Sequence, residues 1–68
     1  MRHIYAVIWV DGAFGLPLSM QKDTAESAIE SAKSIAEKTK DEPLRVQHLR
    51  AVSLAPDSDN LATLWERD

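Results

Sequence analysis

Residues 23–40 read DTAESAIESAKSIAEKTK, and this stretch decides the fold. Ala25, Ala28, Ile29, Ala32, Ile35 and Ala36 recur at spacings of three and four, the period of one helix face. Glu26, Glu30, Lys33, Glu37 and Lys38 fall elsewhere on the same helix. Asp23 can cap its start by accepting from a free backbone N–H, and Glu26 is placed to close a capping box with it. Thr24 is the alternative cap, one residue further on. Glu26 and Glu30 sit near the positive end of the helix dipole, Lys38 and Lys40 near the negative end. Pro43 blocks any continuation, because it drives Glu42 toward extended geometry.

The apolar stripe is mostly alanine with two isoleucines. Such a stripe lets a helix approach a sheet closely but removes little area from water. At about 25 cal/mol per Å² of apolar surface, the larger side chains must come from the strands. The segment therefore reads as a core-facing helix. It is too short and too often interrupted to cross a bilayer.

Upstream, Ile4–Val10 reads IYAVIWV, seven consecutive apolar residues rich in β-branched and aromatic types. That is a strand signal. It does not alternate: Ile4, Ala6, Ile8 and Val10 point one way, and Tyr5, Val7 and Trp9 point the other. A strand apolar on both sides calls for cover on both sides, and one helix supplies only one. The second cover is expected from the C-terminal segment or from another copy of the chain.

Asp11-Gly12 follows at once and predicts a two-residue hairpin, with Ala13-Phe14-Gly15 extending the loop or opening the return strand. Leu16–Gln21 is that return strand. Pro17 cannot donate to a ladder, so the strand belongs at an edge or carries a bulge. The glycines lack the spacing and the Lys-Ser/Thr ending of a phosphate loop.

Downstream of the helix, residues 44–54 (LRVQHLRAVSL) have no clean face in either period. A strand with a bulge near His48 would bring Val46 and Leu49 to one side. Residues 55–60 form a turn cluster. Residues 61–67 (LATLWER) read as a strand, with a short helix capped by Ser58 or Asp59 as the alternative. The expected fold is thus α+β: a small antiparallel sheet with one amphipathic helix packed on one face, in the order β-β-α-β-β, as a single domain.

At 68 residues the core is small, and chains of this size often gain from oligomerisation. There are no cysteines, which removes disulfides and thiolate zinc ligands and agrees with a reducing, cytoplasmic setting. Met1-Arg2-His3 and the short apolar run behind it do not make a signal peptide. The net charge of −3 argues against a general nucleic-acid binder but leaves a local basic patch open.

No constellation of residues specifies a reaction. His3 and His48 lack metal-ligand spacing. Asp57 and Asp59 suggest a calcium loop, but the sixth and twelfth positions are Ala62 and Asp68 instead of Gly and Glu. No serine has a nucleophile-elbow context. The chain is therefore expected to be no enzyme, with no metal and no cofactor, and a small-molecule ligand stays unspecified. Arg45, His48 and Arg50 form a basic grouping. Trp9 and Trp65 add apolar area of the kind enriched at interface centres. The leading expectation is a binding or interaction domain acting as a homodimer through Tyr5, Val7, Trp9 and Trp65.

The predicted hairpin followed by a capped helix with Thr24, Ala28, Ile29 and Ala32 in a T-x-x-x-A-I-x-x-A pattern resembles the N-terminal part of HicB-type antitoxins, over about half the chain. The Pro-Asp-Leu-Pro-Gly-Cys-like segment usual before that helix is missing. The resemblance implies the second expectation, an antitoxin-like or accessory domain that contacts nucleic acid or a nucleic-acid enzyme.

Overall fold

The computed structural model describes residues 3–55 and 61–67. Its elements follow the order β1 (Ile4–Asp11), β2 (Leu16–Lys22), α1 (Ala25–Lys38), β3 (Val46–Leu54) and β4 (Leu61–Glu66). The four strands form one sheet in the order β2-β1-β3-β4, with every neighbouring pair antiparallel. The α+β class and the β-β-α-β-β order are as the sequence implies, and the last element is a strand. The turn cluster at 55–60 and the Asp57/Asp59 pair lie, apart from Ala55, outside the described residues.

α1 buries the face its periodicity marks. Ala28 and Ala32 are fully buried, and Ile29, Ile35 and Ala36 pack beside them. Thr24 is the cap: its hydroxyl accepts from the Ser27 N–H at 3.0 Å. That moves the start one residue past Asp23, so Glu26 is in the first turn but closes no capping box with Asp23. The helix ends at Thr39, four residues before Pro43. There the Thr39 backbone N–H and side-chain hydroxyl both donate to the Ile35 carbonyl, at 3.0 and 2.7 Å.

The hairpin loop differs from the two-residue turn that Asp-Gly suggests. Asp11 pairs with Leu16, which leaves a four-residue loop, Gly12–Gly15. The Asp11 carbonyl accepts from Phe14 N and Gly15 N at 3.3 and 2.6 Å, and its carboxylate accepts from Ala13 N at 2.9 Å. The left-handed residue is Gly15, at φ +65°. Gly12 is needed for another reason. A Cβ there would sit 1.7 Å from the Leu44 carbonyl oxygen, and the Gly12 N–H donates to Arg45 O at 3.1 Å. The hairpin and the α1–β3 connection are thus pressed backbone to backbone.

β3 carries the bulge. Ile8 pairs with Arg50 and Val10 with Gln47, so His48 and Leu49 together oppose Trp9. His48 takes φ +56°. The extra residue turns Val46 and Leu49 to the same side, where both are buried. A second register shift, between Ala51 and Val52, opposes β4 and brings Leu64 and Trp65 together against the core. Pro17 lies on β2, an edge strand, the place in a sheet where a residue without an N–H is tolerated.

Candidate functional site

Directly paired residues of an antiparallel sheet share a face, so the register assigns both sides. Val7 is 0% exposed and clusters with Ala28 and Ala32 of α1, which identifies the helix side. Tyr5, Trp9, Ala51, Leu49, Val46 and Trp65 belong to the same cluster or pack against it. The other side carries Ile4, Ala6, Ile8 and Val10 from β1, with Val52 and Leu54 paired to Ala6 and Ile4, and Leu61 and Thr63 beyond them on β4. Pro17, Ser19 and Gln21 complete it on β2.

This second face is apolar through its middle. Ala6, Ile8 and Val10 are partly exposed, and Ile4 and Leu61 are exposed at 43% and 49%. Val52, between Ala6 and Thr63, is buried. Among the described residues α1 is the only helix, and it packs on the opposite side.

The four residues expected at an interface are therefore on the covered side. Tyr5, Val7, Trp9 and Trp65 face α1, and Val7 has no surface to offer a partner. The physical reason is complementarity of size. The helix brings alanines, so the sheet face that seats it must bring the bulky side chains. The residues left outward are Ile4, Ala6, Ile8 and Val10.

The basic grouping also divides. Arg45 is held by Glu42 at 3.3 Å in an exposed pair and lines a depression with Trp9, Ile35, Lys38 and Val46 on the helix side. His48 and Arg50 instead line a groove with Ile8, Val10, Pro17 and Ser19 on the uncovered side. Arg50 directly opposes Glu66 on β4, yet no ion pair joins them. His3 stacks on the Tyr5 ring, centroids 6.2 Å apart.

Arg67 has a role that no local pattern announces. Its guanidinium donates to the Thr39 hydroxyl at 2.8 Å, to Pro43 O at 3.4 Å and to Val46 O. Its backbone N–H reaches Leu49 O at 3.0 Å. One side chain thus ties the end of β4 to the helix C-terminus and to the start of β3. The signal is visible only once residues 28 positions apart are neighbours.

Among the described residues, no three His, Asp or Glu side chains converge in a metal-binding group. No described helix is long and apolar enough to cross a membrane. Compared with protein-family models, curated proteins and solved structures, the chain has no match.

Proposed function

We propose that this chain is a small non-enzymatic interaction module that works as a homodimer, with the mate seated on the sheet face opposite α1. The observation that supports this reading is the apolar row Ile4, Ala6, Ile8 and Val10, left without an intrachain lid among the described elements.

Size sets the strength expected. Four strands about 4.8 Å apart, each giving roughly seven residues at about 3.3 Å, present about 450 Å² of face per copy. Two copies then bury on the order of 900 Å², at the low end of interface sizes, which favours a weak, reversible dimer. Burial of several aliphatic side chains drives it. Glu66, on the edge strand β4, stands near the rim, where it tunes register more than affinity.

The alternative, contact with nucleic acid, has less support. It needs a continuous basic surface, and Arg45 is directed to a different side from His48 and Arg50.

Sedimentation velocity over a concentration series from micromolar to about a millimolar tests the proposal. The wild-type chain is expected at twice its mass of 7.6 kDa. Ile8→Lys, which puts a charge in the middle of the face beside Arg50, is expected at the monomer mass with its melting transition retained. A wild-type chain that sediments as a monomer defeats the homodimer.

A further inference from the structure

The corner of the uncovered face between β1, β2 and β3 holds a groove of about 470 Å³. Its size falls within the roughly 300–1,000 Å³ typical of small-molecule sites. Ile8, Val10 and Pro17 give it an apolar floor, and His48 and Arg50 stand along one wall. Among the described residues no Asp or Glu lines it, in a chain whose net charge is −3. Although Glu66 faces Arg50 across β3 and β4, the guanidinium closes no ion pair among the described residues.

The bulge adds a second, independent observation. His48 is held at φ +56°, a conformation that costs an L side chain about 1 kcal/mol and that glycine adopts freely. The chain nevertheless places an imidazole there, next to Arg50.

A planar fork of donors above an aliphatic floor is complementary to one kind of molecule. The guanidinium takes a carboxylate through two parallel N–H···O bonds. The imidazole offers a further N–H. The hydrocarbon body lies on Ile8, Val10 and Pro17. We propose that this groove binds a small monocarboxylate with an apolar body. The site goes beyond self-association but shares Ile8 and Val10 with the face assigned to the mate, so ligand and assembly are read separately.

The full chain, isotope-labelled, is titrated by NMR with hydrocinnamate and in parallel with its neutral amide. The carboxylate is expected to move the amide signals of Ile8, Val10, Ser19 and Arg50 to saturation, and the neutral analogue to leave them in place. Arg50→Gln is expected to weaken binding by about tenfold or more while keeping the melting temperature. His48→Gly keeps the bulge and is expected to weaken binding less. Silence at millimolar carboxylate, equal movement with the amide, or undiminished binding by Arg50→Gln overturns the site. Sedimentation of the same samples keeps the two readings apart. A monomer that binds hydrocinnamate defeats the dimer and retains the groove; if the wild type is dimeric and silent, the Ile4→Lys monomer, with its groove residues intact, is titrated, and its silence defeats the groove.

Discussion

The two faces of β1 are chemically alike in sequence and opposite in fate. On one, Val7 is completely sealed beneath Ala28 and Ala32, and Leu49 beside it is 1% exposed. On the other, Ile4, Ala6, Ile8 and Val10 are all at least partly exposed. Hydrophobicity therefore does not choose which side the helix takes. Volume does: a helix of small residues settles where Tyr5, Trp9, Leu49 and Trp65 supply bulk, and the slimmer aliphatic row is left outward. The lesson is that packing complementarity sorts the apolar surface of a small domain: the bulky set seats the helix and the slimmer row stays outward.

The sharpest way to test that separation is to remove volume from each side. Leu49→Ala hollows the sealed face, and its expected cost in denaturant unfolding is about 3 kcal/mol. Gly12→Ala forces apart the two backbones that meet at Leu44 O. A loss of about 2 kcal/mol is expected, measured in the same way. Arg67→Ala frees the Thr39 hydroxyl and two carbonyls at the closed end of the helix side. It is expected to cost about 1.5 kcal/mol, with faster hydrogen exchange in the last turn of α1.

The uncovered side should answer differently. His48→Gly relieves the left-handed backbone at the bulge and is expected to raise stability by about 1 kcal/mol. Ile8→Ser, at a half-buried position, should cost the isolated chain about 1 kcal/mol, well under the Leu49→Ala cost, while abolishing self-association. If Ile8→Ser cost as much as Leu49→Ala in the monomer, the two faces would not differ in the way described.

Much of this architecture is legible from local pattern. Five of the six stripe residues of the helix, Ala28, Ile29, Ala32, Ile35 and Ala36, lie in or against the core, because a period of three and four marks one face of a helix. Pro17 marks an edge strand, since a missing N–H has few other places to go. The irregular faces of residues 44–54 become regular once one extra residue is inserted at His48, which is why a bulge could be inferred there. The four-strand order β2-β1-β3-β4 has no such local signature.

Which face of β1 goes inward is harder to read. β1 offers two apolar sets and no alternation to rank them, so Tyr5, Val7, Trp9 and Trp65 look as suited to a partner as to a core. Their bulk against an alanine helix is the clue that assigns them inward. Gly12 looks like a positive-φ hairpin glycine, but its need is a neighbour, Leu44, that is 32 positions away in the chain. Arg67 looks like a surface charge until the chain end is folded onto Thr39. Arg45 and Arg50 look like one patch because they are close in sequence. The α1–β3 connection and the bulge send them to different sides.

The most direct measurement is an isotope-filtered NOE experiment on a mixture of labelled and unlabelled chains. The account predicts intermolecular NOEs to the methyl groups of Ile4, Ile8 and Val10, and none to those of Val7 and Leu49. Intermolecular NOEs that avoid the Ile4–Val10 row, or none at concentrations well above micromolar, would contradict it.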